Sequence, residues 1–358
     1  MSFSKHQECD PQKEKLKRMI TKRILFISIS IITAIILIGY SITVGASQLT
    51  AIEAYKVLIN KIIPGLFEIP DNAELIVMNI RAPRVLMAVF AGMILAIGGC
   101  LVQTLLTNPL ATPYTLGVSS GAGFGAAISI IYGVSIVSTT LGTITNAFLF
   151  SLIPVAVILI GSRHSKMTPL TIVLCGVAIS YIFSACNTIL QYFADANAVK
   201  EVVFWSIGDL SHAQMWQIPY VAAMAIFFFV VAMVLSKDIN LIRMGDDSAK
   251  SLGVNVNGVR LVAIVLSCLA TATVVSFIGA IGFVCLLAPH IARIFVGGDL
   301  RYLIPASAAF GACLLLIADI LAKSLISPVL LPVGAITALL GGPVLVYLLL
   351  RPKGANTV

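Results

Sequence analysis

Read for its apolar and polar positions, the chain divides into long apolar runs parted by short polar stretches. The run Ile24–Val44 holds one glycine and no charged residue. A helix needs about 20 such residues to cross the hydrocarbon core of a bilayer. Runs of this kind recur throughout, and they predict ten spans at roughly 24–45, 84–105, 116–135, 144–161, 170–192, 216–236, 259–277, 279–296, 303–322 and 334–350. The stretch 259–296 also reads as one long helix, and Gly279 and Gly282 supply the break. Ten spans place both termini on one side. The larger excursions on the far side are 46–80 and 193–215, and the larger one on the near side is 237–258. Within the second, "EVVFWSIGDL" (201–210) is apolar enough to lie as a short helix against the membrane surface.

Composition sharpens this picture. The chain is 59% hydrophobic and only 11% charged over 358 residues, whereas a soluble domain is roughly a quarter charged. The expected class is therefore all-α, a polytopic membrane protein. Its basic residues are unevenly placed: seven Lys/Arg in 1–23, two in 161–169, four in 237–260, two in 293–301 and two in 351–353 put 17 of 23 on the side of the termini. The positive-inside rule then sets both termini in the cytoplasm of a plasma (inner) membrane protein. The net charge of +8 follows from topology and carries no nucleic-acid footprint. Residues 1–23 read as a polar, frayed cytoplasmic tail ahead of a single membrane domain, 24–358. That tail has no signal-peptide pattern, because charge fills it and the apolar run after it is too long for a signal core. Cys9 follows polar residues and does not suggest a lipid anchor.

Little metal or redox chemistry is legible. Six of seven cysteines fall inside spans without a C-x-x-C pair, where cysteine acts as a small apolar filler. His6, His164, His212 and His290 lack metal-ligand spacing. No cofactor or metal site is expected.

Three constellations remain. In "NPLATPYTLGVSSGAGFGA" (108–126), Gly117, Gly121 and Gly125 recur at i, i+4 and i+8. Such a stripe lets backbones approach closely in lipid; a broken helix that touches substrate is the alternative. At the outer mouth, "RAPR" sets Arg81 and Arg84 against the positive-inside trend. They suit either an acidic partner outside or headgroup anchoring. Nearby in register, "ADILAKS" places Asp319 and Lys323 four apart, which permits a mutual pair.

The third is "MGDDSAKSLGVNVNGVR" (244–260), charged yet pressed between two spans. As a helix it puts Ile242, Gly245, Ala249 and Leu252 or Gly253 on one small, apolar face, with Asp246 and Lys250 paired at i,i+4 and Asp247 beside them. A solvated connecting loop needs no such face, so the segment reads as a dock for a cytosolic partner. The chain carries no phosphate-binding G-x-x-x-x-G-K-[ST] loop and no hydrolase or metalloprotease motif. It is therefore read as a non-enzyme without an energy source of its own.

The segment "RAPRVLMAVFAGMILAIGGCLVQTLLTNPLATPYTLGVSSGAGFGA" (81–126) closely resembles the signature of FecCD-type permeases, the membrane subunits of ABC importers for iron-siderophores, haem and cobalamin. "GDDSAKSLGV", "GFVCLLAPHIARIFVGGDLR", "ADILAKS" and "LPVGAITALLGGPVLVYLLL" match in the same order, so the resemblance spans 24–352. It implies a ten-helix subunit that pairs with a second copy of itself, with a pore along the homodimer axis. Two cytoplasmic ATPase subunits would sit below and an extracytoplasmic substrate-binding protein above. The matching segment 241–253 would then sit in an ATPase cleft, with Arg81, Arg84 and Lys323 docking the binding protein. Lys323 departs from the arginine common there, keeping charge but losing the bidentate fork. The cytoplasmic gate would map to Thr168, Pro169 and Leu170. A secondary transporter working alone is the alternative.

Overall fold

The computed structural model describes residues 11–45, 49–70, 72–137, 141–164 and 168–350. Lipid offers no partner for backbone polar groups, so an apolar run must satisfy them within itself, as a helix does. Among the described residues every regular element is helical. The chain runs through α1 (Pro11–Thr43), α2 (Ala51–Ile62), α3 (Ala73–Ile76), a π turn at Val77–Arg81, and α4 (Ala82–Leu105). It continues with α5 (Val118–Tyr132), α6 (Gly142–His164), α7 (Pro169–Tyr192), α8 (Ala196–Ile207) and α9 (Ile218–Ile242). The last are α10 (Asp246–Ser251), α11 (Val256–Ile278), α12 (Val284–Val296), α13 (Leu300–Ser324) and α14 (Val333–Leu350).

Each of the ten predicted apolar runs is helical. Seven of these helices are long and apolar enough to cross a membrane, while Val118–Tyr132, Val284–Val296 and Val333–Tyr347 are shorter. Two expectations need correcting. Residues 11–23, expected to fray, form the first turns of α1. Pro11 suits a first helical position, Lys, Leu and Arg favour helix, and Glu14 accepts from Arg18 at 2.7 Å. Residues 1–10, with His6 and Cys9, lie outside those described, as do 351–358. The break after α11 uses Gly279 (φ +72°) and Phe283 (φ +66°) rather than Gly282. The short helix expected over 201–210 forms the end of α8. It packs against α5, and its end threads between α11 and α14, where Asp209 N–H donates to Ile278 C=O (2.9 Å) and Gly334 N–H to Gly208 C=O (3.0 Å). A Cβ on Gly208 would stand 2.7 Å from the Ala280 carbonyl oxygen. Only glycine fits there.

The core is built around α4, which α9, α11, α12 and α13 surround. Ile94, Leu95, Ile97 and Leu101 are fully buried along it. Small residues set the closest crossing: a Cβ on Gly92 would lie 2.5 Å from the Gly311 carbonyl oxygen of α13, and the converse distance is also 2.5 Å.

A second close approach joins α5 to α6. Gly117, Gly121 and Gly125 face Pro154, Phe150 and Asn146 respectively, so the stripe steps along α6 in antiparallel register. Gly117 also caps the start of α5 with φ +95°, so it precedes the helix instead of lying within it. A Cβ on Gly121 would meet the Phe150 carbonyl oxygen at 2.6 Å, whereas one on Gly123 would meet nothing within 4 Å. The two glycines should therefore respond in opposite ways. Gly121→Ala should lower the melting temperature of the purified protein, since overpacking costs about 1–3 kcal/mol. Gly123→Ala should hold or raise it, because alanine gains roughly 0.5–1 kcal/mol over glycine inside a helix. Equal responses in a thermal-denaturation assay would show that α5 does not pack through its glycine face.

Candidate functional site: a buried ion cluster and an elbow between two helices

The ion cluster begins with α1. A helix ends with carbonyls that have no intrahelical partner, and in lipid they need donors from elsewhere. Arg81, in the π turn, supplies Nη1–H to the Ile42 and Thr43 carbonyls at 2.8 and 3.0 Å. Lys323, in the last turn of α13, donates to the Ser41 carbonyl at 3.2 Å and to the Ser41 hydroxyl at 2.9 Å. Both cations also meet the negative end of the α1 dipole.

Asp319 joins the cluster together. It accepts from Arg84 Nε at 2.5 Å and lies 2.7 Å from Lys323 Nζ. Arg84 extends further, donating from Nη1 to Ser211 Oγ at 2.8 Å and standing 3.9 Å from Asp209 Oδ1. One set of charges thus ties α1, α4 and α13 to the loop that follows α8. The sequence-level expectation put Arg81, Arg84 and Lys323 on the outer surface; the structure buries them to 4%, 4% and 5% exposure, with Asp319 at 0%. The predicted i,i+4 pair of Asp319 and Lys323 forms, with Arg84 as a third member. Ser41, Asp209 and Ser211 escaped the sequence reading. The one available signal was an excess of cations at this end, which demanded acids from the 193–215 excursion.

At the opposite end of α9 and α11, an elbow is built from caps. After α9, Gly245 (φ +124°) turns the chain into the short α10. Gly253 N–H bonds Lys250 C=O (2.9 Å) and Val254 N–H bonds Ala249 C=O (3.0 Å), the two bonds of a Schellman ending. Asn255 then caps α11 by accepting from Gly258 N–H at 3.1 Å. Two expectations change here. Ile242 and Ala249 do not face outward; with Val256 they form a small buried cluster that fixes α10 to the ends of α9 and α11. Asp246 pairs with Arg260 of α11 (2.8 and 3.1 Å), not with Lys250. Lys250 instead meets the exposed Asp247 at 3.2 Å. What the elbow presents outward is Met244 and Leu252, 76% and 67% exposed, with Asp247 and the open Gly253.

Beside the elbow, Asp299 caps α13 and accepts from Asn240 of α9 at 2.8 Å. Burial pushes its carboxyl up, but the Arg301 N–H, the Asn240 amide and the Arg301 guanidinium outweigh this and hold it below the usual carboxylate range. Thr168 caps α7 by accepting from Thr171 N–H at 3.2 Å, Pro169 takes the first helical position, and Leu170 is exposed. Among the described residues no group of three or more His, Cys, Asp or Glu side chains assembles.

Residues 32–351 match the model of the FecCD transport family. An ABC transporter permease protein of Methanocaldococcus jannaschii is 41% identical over 351 residues, covering 95% of this chain and 98% of that one. Hemin transport system permease protein HmuU of Yersinia pestis is 36% identical, covering 77% and 83%. Fe(3+) dicitrate transport system permease protein FecC of Escherichia coli is 34% identical, covering 79% and 85%. A solved metal-chelate type ABC transporter in an inward-facing conformation superimposes with a TM-score of 0.78 at 28% identity, covering 90% of this chain and 98% of that one.

The ion cluster generates a ranking. Breaking a buried pair by removing one partner costs about 3–5 kcal/mol. Asp319→Asn strands two cations, whereas Arg84→Met leaves Asp319 with Lys323. Both variants should melt below the parent, and Asp319→Asn should be the less stable. Parent-like melting of Asp319→Asn in detergent would show that the cluster contributes nothing to the fold.

Proposed function

The chain belongs to the FecCD transport family, and from that premise we propose that it is the permease subunit of an ATP-driven importer for a metal chelate. Relatives named for hemin and Fe(3+) dicitrate support an iron-siderophore or haem as cargo, with cobalamin a further member of the class. The ten apolar helices cross the membrane with both termini in the cytoplasm, a topology supported by 17 of 23 basic residues on that side. Residues 24–358 act as one membrane domain, preceded by the polar segment 1–23.

The observation that carries the reading is the elbow. A six-residue helix is anchored from behind by Ile242, Ala249 and the Asp246–Arg260 pair, yet presents Met244 and Leu252 to the cytoplasm. Exposed apolar side chains on a rigid mount suit a protein partner. A chain without a nucleotide-binding loop needs a partner that hydrolyses ATP. Two such subunits would each seat one elbow of a homodimer. Gly245, Asp247 and Gly253 shape the contact, and Thr168, Pro169 and Leu170 at the start of α7 form the cytoplasmic gate. At the other end, the three cations of the outer cluster outnumber Asp319 and Asp209. They give the mouth a positive potential that attracts an acidic binding protein.

A stand-alone secondary carrier is less well supported. It wants an acid free to take up and release a proton within the membrane, and Asp319 is held by Arg84 and Lys323.

Leu252→Asp tests the reading. A charge at the centre of the contact cannot be satisfied in an apolar cleft, so the ATPase should copurify about tenfold less well or worse. Insertion, dimerisation and melting temperature should stay at the level of the parent, since Leu252 packs on nothing internal. ATPase copurification at the parent's level would remove the coupling role from α10.

A further inference from the structure

A cavity of about 230 Å³ lies between α5, α7 and α8, away from both the ion cluster and the elbow. Its wall is polar for a membrane interior: Ser119 and Ser120 of α5, Ser184 and Asn187 of α7, and Ser206 of α8, closed on one side by Trp205. Gly123 also lines it. The residue is buried, yet a Cβ there would meet nothing within 4 Å, so that turn of α5 is kept clear. No acid or base contributes.

Two of the four serine hydroxyls already spend their protons. Ser120 donates to the Gly117 carbonyl (3.0 Å) and Ser206 to the Val202 carbonyl (2.8 Å), which leaves their oxygens as acceptors. Asn187 Oδ1 is closed to solvent and accepts from no group in the chain. A buried acceptor without a donor costs free energy, and here several acceptors converge on one space beside an indole.

Resting on the permease reading above, we propose that this cavity receives an uncharged, donor-bearing rim of the cargo: amide N–H or hydroxyl groups that satisfy Asn187, Ser120 and Ser206 while the rim's apolar atoms pack on Trp205. The volume, equal to about eight waters at 30 Å³ each, accommodates such a rim and not a whole chelate. An anionic, acceptor-only chelate fits less well, because it leaves the buried Asn187 Oδ1 without a proton and finds no cation in the pocket. The cavity would thus select among chelates by the chemistry of their periphery.

Trp205 reports on the site, since the chain has only two tryptophans. In full-length protein in lipid nanodiscs, Trp216→Phe leaves Trp205 as the sole indole. A neutral cyclic-peptide ferric trihydroxamate, whose amides carry N–H donors, should quench its fluorescence saturably, and ferric citrate should quench it only linearly. In the same background Gly123→Val fills the cavity and Asn187→Leu removes its buried acceptor. Each should weaken the trihydroxamate affinity about tenfold or more, the scale of one or two lost hydrogen bonds. Melting temperature checks that Gly123→Val folds, and Asn187→Leu stands in its place otherwise. Parent-like saturable quenching in either folded variant overturns the proposal, as does tighter binding of ferric citrate than of the trihydroxamate. These variants leave Leu252 and the elbow untouched. Failure of the pocket with ATPase copurification intact therefore spares the permease reading, and loss of copurification in the parent overturns that reading separately.

Discussion

The end of this molecule where α1, α4 and α13 meet depends on one buried carboxylate. A charge taken from water into a low-dielectric interior is costly unless it is paired and hydrogen-bonded. Asp319 meets that condition by holding Arg84 and Lys323 at 2.5 and 2.7 Å. Each cation then has donors left over, and these go to groups that would otherwise be orphaned. Lys323 and its neighbour Arg81 complete the last carbonyls of α1, while Arg84 takes Ser211 in the loop after α8. Helices in lipid have no hydrophobic effect to press them together. A shared set of obligate hydrogen bonds supplies the missing specificity and fixes the register of α1, α4 and α13.

The same network reaches toward the cavity. The loop held by Arg84 begins at Gly208, where α8 ends, and Gly208 is wedged against Ala280 and bonded to Gly334. Trp205 and Ser206 stand one turn before it. The ion cluster and one wall of the cavity are thus carried by the same stretch of chain, the end of α8 and the loop after it. At the opposite end, α9 and α11 carry the elbow, and both pack on α4. The central helix thus lies between a mouth held by charge and an elbow held by caps and a small apolar cluster. A displacement of α10 passes through packed side chains, with no flexible linker to absorb it.

The helices were legible because lipid makes the pattern simple: an apolar run of sufficient length has one structural solution. The ends of elements were harder to read. That residues 11–23 continue α1 follows from propensity that a count of charges conceals. The elbow's position was visible in "MGDDSAKSLGV", but its facing was not. Ile242 and Ala249 looked like a docking face because helical spacing says which residues share a side and not which side is buried. Arg260 decided the matter from fourteen residues away. In the same way, "RAPR" and "ADILAKS" each announced a charge problem, and only the tertiary structure shows that one solves the other. The serine face of α5 was hidden by the more conspicuous glycines beside it. Ser119, Ser120 and Gly123 carry no motif, and their meaning comes from what α7 and α8 leave open in front of them.

The central claim is that this chain moves cargo only as the membrane part of a machine powered from outside itself. The most direct measurement is uptake of a radiolabelled ferric chelate into proteoliposomes containing the chain, with and without an ATPase subunit that copurifies with it, a substrate-binding protein and ATP. The account predicts accumulation only when all three are supplied, and none under an imposed proton or sodium gradient with the chain alone. Gradient-driven uptake by the chain alone would contradict it.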